Sequence, residues 1–94
     1  MYSQTQLLTT EAARIGKRLF NHWKHKFEVV ETEQNFQILM PTATVTLTPQ
    51  DNTLDVSIQS QLEPAEQTRL EGVVIDRLNR MAQQDFQVTW QQQA

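Results

Sequence analysis

The segment ATVTLTPQDNTLDVSIQ, residues 43–59, decides the fold because apolar and polar side chains alternate on both sides of a short polar stretch. The apolar positions are Ala43, Val45, Leu47, Leu54, Val56 and Ile58. A period of two is typical of a β-strand that buries one face and leaves the other in water. Residues 49–52 contain Pro, Asp and Asn, which favour a turn. The segment therefore predicts a β-hairpin in a sheet with one covered and one wet face.

Alternation of the same kind extends to both sides of this hairpin. It begins at Phe27 and Val29, recurs over residues 36–40, and returns over residues 86–90, where Phe86, Val88 and Trp90 are the apolar positions. The separators between the first four strands are short and turn-like, which predicts a meander of hairpins. The last strand should then pair antiparallel with the first, at the far edge of the sheet.

Two amphipathic helices flank this meander. The first should begin at Thr9 or Thr10, either of which can cap a helix. Its apolar stripe comprises Ala12, Ile15, Gly16, Leu19 and Trp23. The second should begin at Glu63 and Pro64 and run to about Gln84, since proline is favoured at a first helical position. Its predicted inward residues are Leu70, Val73, Val74, Leu78 and Met81. A glycine on a buried stripe suggests that the first helix approaches the sheet closely.

Together these patterns predict one α+β domain over residues 1–94 with an ordered core of roughly 9–90. The element order is α-β-β-β-β-α-β, and both helices cover one face of a mostly antiparallel five-stranded sheet. Residues 1–8 and 91–93 are expected to be frayed ends.

Composition excludes several classes of protein. The 94 residues include no cysteine, which removes disulfides, thiolate metal sites and cysteine nucleophiles. No apolar run approaches the roughly 18 residues of a membrane span, and residues 1–10 lack the features of a signal peptide. We therefore expect a cytoplasmic protein without membrane contact.

Charge is distributed unevenly. Residues 14–26 hold five of the eight Lys and Arg residues and no acid, whereas the rest of the chain carries a net −8. The first helix is thus a local positive pole, with Arg18, Lys24 and Lys26 available to attract an anionic ligand or an acidic protein partner. The acidic overall charge and the lack of a known binding motif argue against nucleic acid.

The end of the first helix carries His22 and His25, three residues apart. Imidazoles at this spacing can point to one side of a helix, and can supply two metal ligands or reach a haem iron. His22, His25 and Lys26 are therefore candidate ligand or cofactor contacts, and the two histidines are candidate metal ligands. The alternative is structural: His22 bonds a backbone group at the helix boundary, and His25 is solvated or caps the helix.

Catalysis finds no support in the residues. Gly16 and Gly72 are the only glycines and both fall inside helices, so the chain has no glycine-rich phosphate loop. No Ser, His and Asp set follows from order or spacing. We expect a binding protein rather than an enzyme, with no particular cofactor implied.

Three segments resemble a family of small bacterial proteins, the domain-of-unknown-function family 2218. They are LFNHWKHK at residues 19–26, LEGVV at residues 70–74 and FQVTW at residues 86–90, with the threonine-rich strand between them. Some relatives occur beside, or fused to, siderophore-interacting proteins. The resemblance thus implies a binding or accessory protein in iron or siderophore metabolism. The alternative is a homodimeric interaction module that uses a sheet edge or the wet face carrying Thr44, Thr46 and Thr48.

Overall fold

A computed structural model describes residues 1–93 of the chain. These residues form two helices and a six-stranded sheet. In chain order the elements are β1 (Tyr2–Leu8), α1 (Ala12–Trp23), β2 (Glu28–Glu31), β3 (Phe36–Leu39), β4 (Ala43–Pro49), β5 (Thr53–Ser60), α2 (Pro64–Ala82) and β6 (Gln91–Gln93). The predicted α+β class, with two helices and an antiparallel sheet, is confirmed.

The strands lie in the order β2-β3-β4-β5-β1-β6, and each neighbouring pair is antiparallel. The β4–β5 hairpin has the register that the alternation predicts. Val45 pairs with Ile58 and Leu47 with Val56, so the apolar side chains of both strands share one face. That face meets the helices, and Val45, Leu47 and Ile58 are fully buried there.

The first eight residues were wrongly predicted to lie outside the core. They form β1, which lies inside the sheet between β5 and β6. Ser3, Thr5 and Leu7 point toward the helices and are buried, while Gln4 and Gln6 point to the wet face. Two of the three inward side chains are polar, so the apolar alternation that reveals the other strands is missing here.

The C-terminal segment also differs from the prediction. Residues 86–90 form no strand, although Phe86, Val88 and Trp90 pack against the core as predicted. The strand is β6, at residues 91–93, and it pairs with β1 rather than with the strand at the far edge. Because β1 occupies the position next to β5, the returning chain meets β1 first, and β2 stays at the opposite edge.

Helix α1 begins later than predicted, with Glu11 as its N-cap residue and, among the described residues, no side-chain capping bond. Thr9, a predicted cap, lies before the N-cap residue, and its hydroxyl accepts a hydrogen bond from the Glu11 amide at 3.0 Å. The predicted stripe is buried, and the predicted close approach at Gly16 is confirmed. A Cβ atom at Gly16 would lie 3.0 Å from the Phe36 ring and 3.6 Å from Leu54.

Helix α2 buries a mixed surface. Val74 and Leu78 are fully buried as predicted, but Val73 is 40% exposed and lies on the outer side. Gln67 and Glu71 are buried instead, in the half of the helix that faces β1 and β5. A residue in the left-handed region, Gln83, ends the helix two residues before the predicted boundary.

A buried hydrogen-bond network explains these polar residues. Ser60 donates its hydroxyl proton to Gln67, whose amide group donates to Ser3 at 2.8 Å. Ser3 in turn donates to Glu71, and Gln92 donates to the same carboxylate at 2.7 Å. The network therefore connects β5, α2, β1 and β6. Among the described residues, no buried side-chain nitrogen or oxygen lacks a partner.

Candidate functional site

The basic end of α1 is a tight turn on a buried anchor. The carbonyl of Trp23 accepts the amides of Lys26 at 3.0 Å and Phe27 at 2.8 Å, so the chain reverses directly after the helix. Trp23 is 5% exposed, as its place on the apolar stripe predicts. The anchor keeps the helix end in the core, while His22, Lys24, His25 and Lys26 stay in solvent.

Aromatic contacts hold one cation of this turn in place. The rings of Trp23 and Phe27 meet edge to face, with centroids 5.9 Å apart. The Lys26 ammonium lies 5.5 Å from the centroid of the Phe27 ring, within the range of a cation–π contact. The Lys26 side chain is therefore positioned by a ring that itself packs against the buried Trp23. Sequence reasoning missed this role of Phe27, although an aromatic residue four positions after Trp23 was a visible signal.

The other cations of α1 bond within the molecule. Arg14 forms an ion pair with Glu11 at 2.6 Å, and Lys17 forms one with Glu31 at 2.6 Å. The Arg18 guanidinium donates to the backbone carbonyl of Met81 at 3.0 Å, which links α1 to the end of α2. Arg18 was predicted to attract an anion, and this hydrogen bond also lets it connect the two helices.

The turn after α1 differs in this respect. Within the part of the chain that the structure describes, neither Lys24 nor Lys26 lies within ion-pair distance of a carboxylate. Both side chains are exposed. Among the described residues, two of the five cations predicted to form the positive pole thus lie unpaired in the turn after α1, where they also suit the negative end of the helix dipole.

His22 and His25 are both exposed and lie beside these lysines. Residues 1–93 contain no group of three or more His, Cys, Asp or Glu side chains placed to hold one metal ion. Two imidazoles are too few for a closed structural site, which needs four ligands. They do not fit a resident metal on their own, and their role as metal or cofactor ligands stays a prediction.

Neither helix within residues 1–93 has the length and apolar character needed to cross a membrane.

Trp90, the second tryptophan, is half-buried and packs against the core. It lies in the segment before β6.

Two matches with known proteins describe what this chain is similar to. The family described as "Uncharacterized protein conserved in bacteria (DUF2218)" matches residues 4–91. The NMR structure of PA4090 from Pseudomonas aeruginosa is similar with a TM-score of 0.79 and 30% sequence identity, covering 96% of this chain and 94% of that chain. No curated protein matches.

Proposed function

Because the chain belongs to the bacterial family DUF2218, and because the turn after α1 carries solvent-facing cations, we propose that it is a small cytoplasmic binding module for an anionic ligand. The observation that carries this proposal is the contrast between helix α1 and the turn that follows it. Arg14 and Lys17 are paired with carboxylates, whereas Lys24 and Lys26 are exposed without one among the described residues.

The chemistry of the turn favours an anion with several carboxylate or phenolate oxygens. Two ammonium groups and two imidazoles lie within five consecutive residues, and ammonium groups are three-way hydrogen-bond donors. His22 and His25 can donate hydrogen bonds to the same ligand. Lys26 is the best positioned of these groups because of its contact with Phe27.

An iron or siderophore role is the more specific form of this proposal. Iron would arrive as an anionic chelate, as cargo, and its ligands would come from the chelator rather than from the protein. This assignment suits two exposed histidines, which contact the periphery of a chelate more readily than they complete a metal site. It rests on the family resemblance and on the charge of the turn.

The test is a titration of the purified protein with citrate and with ferric citrate, followed by Trp fluorescence and by amide chemical shifts. We expect citrate to shift the amide signals of residues 22–27 and ferric citrate, whose iron is paramagnetic, to broaden the same signals, with ferric citrate binding more tightly. Binding should weaken as salt is added, because the lysines are exposed and screened. Equal binding of citrate with and without iron would remove the iron assignment and leave the anion site.

Matched variants locate the site. The Lys24→Ala/Lys26→Ala variant should weaken citrate binding by about tenfold. Its control, Arg69→Ala/Arg80→Ala, removes the same charge from α2 and should have little effect. His22→Ala/His25→Ala tests the imidazoles. Equal losses in the lysine variant and its control would mean that net charge alone acts, and would contradict a site at the turn.

The second candidate is the homodimer. The observation that favours it is the edge position of β2, which pairs with β3 alone among the described strands and has Val30 40% exposed. An unpaired strand edge can add a strand from a second copy. Light scattering over a range of concentrations tests the homodimer. A molecular mass equal to that of one chain at every concentration would contradict it.

A further inference from the structure

The face of the sheet opposite the helices has an unusual composition. All eight Lys and Arg residues of the chain lie in α1, in the turn after it, or in α2. The outward positions of the six strands are mostly threonine, serine and glutamine, with Asp55 and Glu28 as the two carboxylates. This open face therefore presents hydroxyl and amide groups with little charge.

A groove of about 490 Å³ lies on the open face where β1, β5 and β6 meet. Its size falls within the usual range of small-molecule sites. The lining side chains that matter here are Tyr2, Gln4, Thr48, Asp55, Ser57 and Gln91. Two cross-strand rows cross it: Gln91–Gln4–Ser57 and Gln6–Asp55–Thr48. Residues two apart on a strand are separated by about 7 Å.

We propose that this groove binds an uncharged sugar, a monosaccharide or disaccharide. Sugar hydroxyls both donate and accept hydrogen bonds, and the glutamine amides and hydroxyls of the two rows do the same. The Asp55 carboxylate adds a strong acceptor for hydroxyl donors. Tyr2 supplies an aromatic ring at the groove wall for the apolar C–H face of a sugar.

The side chains that line the groove are linked by hydrogen bonds that a ligand can replace. Tyr2 donates its phenol proton to Gln4 at 3.3 Å, and Gln4 donates to Gln91 at 3.4 Å. Both bonds are long and exposed, so exchanging them for bonds to a sugar costs little. Asp55 is oriented by the Thr53 hydroxyl at 3.2 Å, so its carboxylate is positioned before binding.

The same lining disfavours the other ligand classes. An anion would meet Asp55, and none of the described residues that line the groove is a cation. A metal ion would find a single carboxylate, and no group of three ligating side chains occurs in residues 1–93. An apolar ligand would bury the amide and hydroxyl groups of both rows without partners, which is costly.

The experiment is an amide chemical-shift titration with glucose, galactose, N-acetylglucosamine, maltose and trehalose, each up to about 50 mM to detect millimolar binding. Glucuronate and glucose 6-phosphate serve as charged counterparts. We expect at least one neutral sugar to shift the amides of β1, β5 and β6, and its charged counterpart to bind more weakly. No shift with any neutral sugar, or equal binding of the charged compounds in the groove, overturns the proposal.

One substitution made at two places gives the matched control. Gln4 and Gln37 lie on the same open face and in the same cross-strand row, but Gln37 is three strands from Gln4, outside the groove. Gln4→Ala and Asp55→Ala should each weaken sugar binding by about tenfold, while Gln37→Ala leaves it unchanged. Equal losses for Gln4→Ala and Gln37→Ala overturn the proposal. Citrate bound at residues 22–27 is a separate result and does not affect this one.

Discussion

The two helices cover the same sheet with different chemistry. The buried side of α1 is entirely apolar apart from Gly16, and comprises Ala12, Ile15, Leu19, Phe20 and Trp23. The buried side of α2 pairs Val74 and Leu78 with Gln67 and Glu71. Helix α1 packs on β3, β4 and β5, whereas the first half of α2 bonds to Ser3 in β1 and Ser60 in β5.

This difference shows how the two terminal strands, β1 and β6, are positioned in the sheet. Apolar burial is non-directional, so α1 stabilises the meander without selecting one partner for each residue. A satisfied buried polar network is directional, and it specifies which strands meet. Gln67 and Glu71 join β1, β5 and β6 through hydrogen bonds, and thereby define the position of two strands with little apolar surface of their own.

The largest effect should come from the apolar helix. Leu19 is fully buried, and Leu19→Ala should lower the free energy of unfolding by about 2–5 kcal/mol through lost burial and a cavity. Val73→Ala on the outer side of α2 is the control and should change it by less than about 0.5 kcal/mol. Urea unfolding followed by Trp fluorescence measures both. A similar loss in the two variants would contradict the assigned burial of α2.

The polar network should contribute less than the apolar helix. Gln67→Ala leaves the Ser60 and Ser3 hydroxyls without their amide partner, which should cost about 1–3 kcal/mol. Arg69→Ala, two residues along the same helix and exposed, is the control. Hydrogen exchange of the β6 amides provides a second measurement. If Gln67→Ala changes neither stability nor exchange in β1 and β6, the network does not hold these strands.

The smallest effects should distinguish the two helical glycines. Within the described residues, a Cβ added at Gly72 would have no atom within 4 Å apart from its chain neighbours and its own helix backbone, so Gly72→Ala should stabilise the protein by about 1 kcal/mol through helix propensity. Gly16→Ala has the same gain in propensity, but its Cβ would press on the Phe36 ring at 3.0 Å. We expect it to give no net stabilisation. Equal stabilisation in thermal unfolding would show that Phe36 moves freely.

Most of the fold could be predicted from local patterns. The period of two over residues 43–59 and the apolar stripe of α1 both involve residues whose burial follows from their own hydrophobicity. The same logic wrongly placed Val73 inside, because α2 has apolar residues on more than one side. A neighbouring helix and a polar strand, rather than hydrophobicity, select which side is buried.

The candidate site was predictable in composition but not in arrangement. The cluster of charge around His22 and His25 is evident along the chain, and both side chains are exposed, His22 at the end of α1 and His25 in the turn after it. Which cations have partners depends on contacts between distant elements, such as Lys17 with Glu31 and Arg18 with Met81. The groove on the open face could not be predicted from the sequence because it combines residues from both ends of the chain with β4 and β5.

The sequence by itself determined the two helices, the meander and the positive pole, since each depends on the period or charge of one continuous segment. The tertiary structure alone decided the places of β1 and β6. Their inward side chains include Ser3 and Thr5, whose burial is favourable only when α2 and the C-terminal segment supply hydrogen-bond partners. An apolar residue is buried because of its own hydrophobicity, whereas a buried polar residue depends on a hydrogen-bond partner from elsewhere in the chain.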